Sequence, residues 1–599
     1  MTAGEEAGGT LRLVRGTPNA NGAEAAQLYL LVGDVTTAPI QRIIPADGVS
    51  LPPAPKLAGQ PFRLSILHFN DLHGQISRAM PYGNQAVFSR MVWRVKELRR
   101  GCRTDPHRAV LFLSGGDDLA GAVLGELLGH DPASYVVHAG YYLYSAAGVD
   151  AGVVGNHDLE VGSGLLAHAI EHASRFPLLS ANLCASPPLA RQVHPAALLA
   201  VKGVRVGIIG LTTSAEVACV AGDDFRIVHP VIALQNLLPA LRPLCDVLLV
   251  LSHLGRSLAS SSATTRDAGD VELAESLPAG SVHLIIGGHT HEALNEYGLS
   301  VANLVNGIPI LQAGTMGRYL GEVDLTIHPS AVGRPRVSVD SVRLTPTADL
   351  PVDDDFEREQ VQPLLERAKP LRARSLGQVA DHPDLTTEAV QGGFAVRELA
   401  LANLISDALV AGCRAAGHPV DLAAIDASSI HCGLPVGGEL TFGDWFKLMP
   451  YADTIRLYRL TGRQLAALLD DNARRADRFG EPHVERGFLQ FSRQVRYAVE
   501  LSECRRAASA VQVTVDGQSL DQQLDRVFVM ACTSFVREAA KPWERYAART
   551  LDLPVLDTLG SSYADIDLLV RDLLIAHLRT HGGATEEAGA RRDGRLRML

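Results

Sequence analysis

The chain has 599 residues, a formal net charge of −11 and 47% hydrophobic residues. It is longer than one ordinary domain, and its negative balance disfavours nonspecific binding to nucleic acid. No apolar run approaches the length of a membrane span, and the eight cysteines are scattered without a C-x-x-C pair, which reads as reduced thiols and not as a disulfide framework.

The N-terminus, MTAGEEAGGT, lacks the basic and apolar regions of a secretory signal, which leaves three alternatives: residence in the cytoplasm, exit by another route, or a misassigned start codon. Residues 1–60 form an N-terminal extension of unassigned role. Within it, 27–32 and 39–44 are predicted to pair as a short hairpin, followed by a Pro-rich connector over 51–61. Short apolar runs follow at 64–69, 110–113, 152–154, 246–251 and 282–286. Each is rich in Leu or β-branched residues and stops at Gly, Ser, Asn or Asp, the pattern of a buried strand. Between the first two, 86–100 places Val87, Met91, Val92, Val95 and Leu98 at helical spacing and ends in basic residues before Gly101. Strands alternating with helices predict an α/β fold whose sheets are covered by helices and whose polar strand ends converge on one rim.

Metal-ligand residues sit at or just past these strand ends. The segments are FNDLHG (69–74), SGGDD (114–118), GNHDLE (155–160), SHLG (252–255) and GGHTHE (287–292). Together they supply Asp71, His73, Asp117, Asn156, His253, His289 and His291. Taken singly, an Asp-x-His or a Gly-Gly-Asp turn is ordinary; the repeated strand-then-ligand order carries the reading. Asp, Asn and His donors suit two divalent metal ions, zinc or manganese first, with iron or cobalt also accommodated, and no cysteine cluster points to a closed structural zinc site. Asp117 is the carboxylate placed to bridge both ions. Two-metal sites clamp the attacking and leaving oxygens of a phosphate ester.

These residues resemble the calcineurin-like metallophosphoesterases, and more narrowly the 5′-nucleotidase family. The family pattern D-x-H, G-D, G-N-H-E-F-D, H and G-H-x-H reads here as Asp71-Leu72-His73, Gly116-Asp117, Gly155 to Glu160, His253 and Gly288-His289-Thr290-His291. The resemblance implies an N-terminal four-layer metallophosphoesterase β-sandwich flanked by helices over 61–345. A linker helix over 346–375, a smaller α/β substrate-binding domain over 376–580 and a mobile Gly- and Arg-rich tail over 581–599 would follow. It implies that Asp71, His73, Asp117 and His291 hold one metal, and Asp117, Asn156, His253 and His289 the other. His157 becomes the catalytic histidine, with Glu160 as its acidic partner where the family has Asp.

The linker is predicted as a helix over 353–369, with Asp353 to Asp355 in its first turn and Phe356, Val361, Leu364 and Leu365 apolar. In the family the second domain rotates about such a linker. Further matches are Arg397-Glu398 with Ala402 to Ala408, Thr441 to Asp444, Leu448 to Tyr451, Leu460 to Leu465 and Gly487 to Ser492. They imply that Tyr451 and Phe535 stack a base between two rings and that Arg397 faces the substrate phosphate. The chain departs from the family at 426–431, where His431 replaces an Arg, and at 537–543, where a ribose-contacting glycine loop is missing. The resemblance thus implies a dinuclear phosphohydrolase acting on a small phosphoester, a nucleotide first. The alternatives are the same chemistry on a non-nucleotide or cyclic phosphoester, and a metal-binding sensor without turnover. Relatives in the family are often exported, which the N-terminus does not show.

Overall fold

The structure, a computed structural model, describes all residues except 1–8, 25, 51–58, 81–82, 120–122, 130, 214–224, 258–267, 331–333, 392–395, 450–453, 478–487, 502–506 and 534–561. The chain divides into two compact units, Met1–Ala368 and Lys369–Leu599. Among the described residues no helix is long and apolar enough to cross a membrane, and the six described cysteines are free.

The first unit is built on two large sheets. A seven-stranded sheet runs Val193–His194, Leu178–Leu179, Ala151–Val153, Arg108–Ser114, Phe62–Phe69, Tyr319–His328, Arg336–Pro346. A nine-stranded sheet is centred on Val204–Thr212, Val247–His253, Leu284–Ile286 and Ile308–Leu311. Ile66, Leu111 and Val153 of one sheet pack with Ile208, Leu249 and Ile286 of the other in a fully buried cluster. Both faces of these strands are covered, which is why their sequences read as continuous apolar runs. Helices form the outer layers. Pro230–Leu241 and Asp270–Glu275 bury leucines on the nine-stranded sheet. Phe88–Cys102 and Ala139–Ala147 close an aromatic cluster of Phe69, Phe88, Phe112 and Tyr144 on the other.

The N-terminal extension departs from expectation. Ala26–Val32 pairs antiparallel with Thr10–Gly16, and Arg42–Pro45 runs parallel to Thr10–Gly16, so 27–32 and 39–44 form no hairpin with each other. The reason is burial. Ala26–Val32 also pairs with Ala196–Val201 of the nine-stranded sheet (Tyr29 against Leu198). Adding Thr10–Gly16 outside it removes Leu11 and Leu13 from solvent completely, a larger gain than an isolated two-stranded ribbon provides.

The stretch read as a helix over 353–369 is helical from Asp354. Asp353 caps it by accepting from the Phe356 N–H at 2.9 Å, and the helix continues through one π-helical turn, Glu357–Val361, to Gln362–Arg372.

The second unit holds a five-stranded sheet, Leu489–Phe491, Leu422–Asp426, Val527–Thr533, Thr454–Thr461, Ser562–Leu569. Helix Ala400–Ala415 packs on it. The tail expected to be mobile is paired instead. Gly583–Ala584 lies parallel to Ser375–Val379, and Leu596–Met598 lies parallel to Val495–Glu500. Arg595 is 4% exposed and donates to both oxygens of the buried Asp407, at 3.0 and 3.1 Å. A composition rich in Gly and Arg reads as solvated only when no buried carboxylate awaits the arginine.

Candidate metal centre

Strand register delivers the candidate ligands to one rim. Phe69 lies opposite Ser114 in the parallel pair of Phe62–Phe69 and Arg108–Ser114. The two following loops therefore leave the sheet at the same level and zip together. Gly115 N donates to Phe69 O at 2.7 Å, Asp71 N to Gly116 O at 2.9 Å and His73 N to Asp117 O at 3.0 Å. In the other sheet, Val247–His253 ends on His253, and Leu284–Ile286 runs through Gly287 and Gly288 to His289.

Five of the seven candidate ligands hold left-handed backbone. Their φ values are 48° at Asp71, 48° at His73, 55° at Asp117, 77° at His289 and 59° at His291. This region costs a non-glycine residue on the order of 1 kcal/mol and persists where surrounding structure over-determines it, as at functional sites. Glycines admit the close approach. A Cβ on Gly155 would stand 2.1 Å from Asp117 Oδ1, and one on Gly288 would stand 2.9 Å from His253 Nδ1.

The side chains gather in two trios, Asp71–His73–His291 and Asp117–His253–His289, whose donor atoms lie within 4.8 Å of one another inside each trio. In the first, His73 Nε2 and His291 Nε2 face each other at 3.1 Å, with Asp71 Oδ1 3.4 Å from His291. In the second, His253 Nδ1 donates to Gly115 O at 2.6 Å, which turns Nε2 toward Asp117 Oδ2 at 3.0 Å. His289 Nδ1 lies 3.0 Å from Asn156 Oδ1. His253 Nε2 is also 3.8 Å from Asp71 Oδ1, so the trios adjoin. All seven side chains are buried except that of His291, which is 37% exposed.

Desolvation pushes His73 down to about 3, leaving a neutral imidazole with a lone pair to offer. Burial works against ionisation of Asp71 and Asp117. His291 and His253 overcome it at Asp71, and His253 and His157 hold Asp117 well below the usual carboxylate range. Burial likewise opposes a charge on His253, yet Asp117 and Asp71 raise it to about 10. Two buried carboxylates, four imidazoles and an amide are the oxygen and nitrogen set that divalent cations take, and buried charge of this density needs such compensation. The donor set fits a pair of divalent ions.

His157 and Glu160 meet beside the trios. The ring Nδ1 is 2.7 Å from Glu160 Oε1, the His157 N–H donates to Asp117 Oδ1 at 3.0 Å, and the His157 and His73 rings lie 5.3 Å apart. In the second unit, Arg397 is exposed, and its carbonyl accepts from Gln490 Nε2 at 2.7 Å. His431 is exposed at the surface, but desolvation by its surroundings lowers its pKa, which disfavours the cation. Tyr451 and Phe535 lie outside the described residues.

Sequence reasoning passed over three supporting residues. Asp158, inside GNHDLE, accepts from the N–H groups of Gly155 (2.9 Å), Asp118 (3.0 Å) and Asp117 (3.1 Å), and so ties two ligand loops together. Asn70 donates to Asp71 Oδ2 and to Gly314 O, both at 2.6 Å. Gln312 donates to Gly288 O at 3.0 Å beneath His289. The available signals were the acid following Asn-His, and the apolar strand Ile308–Leu311 running into Gln312 and a glycine-rich loop.

Comparison with known proteins follows the same division. Residues 64–293 match the family model for calcineurin-like phosphoesterase, and 377–546 match that for the 5′-nucleotidase C-terminal domain. A 5′-nucleotidase of Vibrio cholerae is 24% identical over 439 residues, covering 69% of this chain and 76% of that protein. Protein UshA of Escherichia coli is 29% identical over 286 residues, 44% of this chain and 49% of its own length. Among solved structures, a 5′-nucleotidase described as putative from Staphylococcus aureus superposes with a TM-score of 0.63 at 18% identity. It covers 90% of this chain and 99% of its own. A 5′-nucleotidase precursor from Thermus thermophilus gives 0.54 at 23%, with the same coverage. At these identities the structures establish the shared fold.

Proposed function

That the chain belongs to the 5′-nucleotidase family, with a calcineurin-like phosphoesterase domain followed by a 5′-nucleotidase C-terminal domain, is the premise from which we propose its function. It is a hydrolase that releases phosphate from small phosphomonoesters at a pair of divalent ions, with nucleotides as the leading substrate class. The observation that carries this reading is the pair of adjoining trios on one rim.

Asp71, His73, Asp117 and His291 hold one ion, and Asp117, Asn156, His253 and His289 the other, zinc or manganese by donor type. When bound, such ions polarise the phosphoryl group and lower the pKa of the attacking water. The chain's own residues do the rest. Asp158 and Gly155 set the position of Asp117. Glu160 engages Nδ1 of His157, which leaves Nε2 as the ring atom that serves the leaving oxygen. Arg397 meets the substrate phosphate, and Tyr451 with Phe535 stacks the base.

Asp117→Ala and His289→Ala are expected to abolish hydrolysis of p-nitrophenyl phosphate with the far-ultraviolet circular dichroism unchanged. Full activity in both variants refutes the assignment. A second reading, the same chemistry on a non-nucleotide or cyclic phosphoester, is favoured by His431, whose surroundings disfavour the positive charge that an Arg would bring. A phosphate-release panel separates the two, and AMP ahead of every non-nucleotide ester ends the second reading.

A further inference from the structure

A groove of about 790 Å³ lies between residues 18–24, the last turns of helix Phe88–Cys102 and the start of strand Arg108–Ser114. None of the candidate metal ligands lines it. Six basic side chains, Lys96, Arg99, Arg100, Arg103, Arg108 and Lys202, face three acidic ones, Glu24, Asp353 and Asp355. The excess of positive charge is local, since the whole chain carries −11.

Part of this charge is already engaged. Lys96 pairs with Asp353 at 2.8 Å, Arg99 pairs with Asp150 at 2.8 Å, and Lys202 donates to the carbonyls of Cys102 and Asp105. Arg100, Arg103 and Arg108 form no ion pair among the described residues. Arg63 lies opposite Arg108 in the parallel register, which adds like charge at the neighbouring sheet position. Complementing the carboxyl end of a helix accounts for basic residues such as Arg99 and Arg100. It does not account for Arg108 and Lys202, which come from other elements.

The wall opposite the arginines is built, not incidental. Asp150, 4% exposed, accepts from Ala23 N at 2.7 Å and Phe112 N at 2.8 Å, and orients Arg99, which in turn donates to Asn21 O at 2.8 Å. Asn19 Nδ2 donates to the carbonyls of Ser145 and Val149, both at 3.0 Å. A Cβ on Gly22 would stand 2.4 Å from Asp150 Oδ1, and one on Gly148 would stand 2.0 Å from Asn21 O. The N-terminal segment is thus clamped by a buried carboxylate and two close backbone approaches.

We propose that this groove binds a small anion carrying more than one phosphate charge, through the guanidinium groups of Arg100, Arg103 and Arg108. Guanidinium forks match phosphate oxygens in pairs, and the volume falls in the range of about 300–1,000 Å³ that small-molecule sites occupy. The N-terminal segment of the wall lies outside the part of the chain that matches the phosphoesterase family, the three arginines lie within it, and the site stands apart from the catalytic reading because it shares no residue with the candidate metal centre.

The test is calorimetric titration of the full chain with sodium pyrophosphate, with AMP and sodium sulfate as further probes. Pyrophosphate is expected to bind the native protein and Asp117→Ala alike. Arg103→Ala with Arg108→Ala should weaken binding at least about tenfold, the equivalent of one lost charge-assisted hydrogen bond, with native melting temperature and phosphate release. Arg103→Lys with Arg108→Lys, which keeps charge and fold but loses the fork, should fall between. AMP binding that is tighter than that of pyrophosphate and weakens in Arg103→Ala with Arg108→Ala assigns a nucleotide source, and weaker AMP binding an inorganic one. Equal affinity in the alanine and native proteins, loss of the signal in Asp117→Ala alone, or sulfate binding as tightly as pyrophosphate overturns the proposal.

Discussion

Gly155→Ala tests whether the position of Asp117 controls turnover. Gly155 has φ −90° and ψ 176°, a conformation any residue adopts, so the penalty is steric alone. The added Cβ would meet Asp117 Oδ1 at 2.1 Å and Asp117 N at 2.7 Å, where ordinary contact begins at 3.4 Å. The carboxylate must therefore retreat by about 1.3 Å or rotate away from His253. Overpacking of this kind costs roughly 1–3 kcal/mol of stability. Displacement on the ångström scale costs about 100-fold in rate when it disturbs the reacting geometry. The assay is kcat and KM for p-nitrophenyl phosphate with manganese or zinc supplied, beside calorimetric unfolding and metal content. Gly164→Ala, in helix Ser163–Ala173 with nothing within 4 Å of the new Cβ, is the control. It should keep the native rate and gain roughly 0.5–1 kcal/mol. A Gly155→Ala protein that keeps the native kcat and metal content would show that Asp117 has no demanding position, and would remove the argument for a bridging carboxylate.

His157→Ala is expected to lower kcat by about 10²- to 10⁴-fold with both metals retained, and Glu160→Gln by less. Loss of a metal in His157→Ala would instead make His157 a ligand. In metal-free protein His253 is raised to about 10 from 6.5. Its cation therefore stabilises the fold fully below about pH 6.5, and that contribution is lost as pH climbs toward about 10. Metal uptake runs the other way. His253 must release its proton to bind, so affinity should rise by up to about tenfold per pH unit below 10. Unfolding and metal titrations of chelator-treated protein at several pH values check both signs. Arg595→Met removes the guanidinium on buried Asp407 and leaves that carboxylate with Arg493. A cost of about 3 kcal/mol should lower the melting temperature of the C-terminal unit by roughly 6–12 °C, and an unchanged melt would show the tail to be dispensable.

Much of the centre was legible before folding because its chemistry is written locally. The seven ligand candidates each follow a short apolar run, so local pattern alone placed them at strand ends, and the resemblance to the family supplied the pairing of His157 with Glu160. The supporting residues were harder. Asn70, Asp158 and Gln312 act through backbone groups of other loops, and no spacing rule reports a hydrogen bond between segments over 200 residues apart, as from Asn70 to Gly314. The N-terminal strands and the tail were misread for the same reason. Leu11 and Leu13 lie on Thr10–Gly16, which joins the sheet by pairing with Ala26–Val32, itself laid against the distant Ala196–Val201, and Arg595 is a surface residue by type that becomes a core residue beside Asp407.

The linear order of amino acids determined which donors the rim carries, since side-chain chemistry and strand periodicity act over a few residues. The fold decided which donors share a trio, which backbones bend to left-handed φ and which arginines crowd one groove. Those outcomes depend on register between strands and on burial, quantities that exist only once distant segments have been brought into contact.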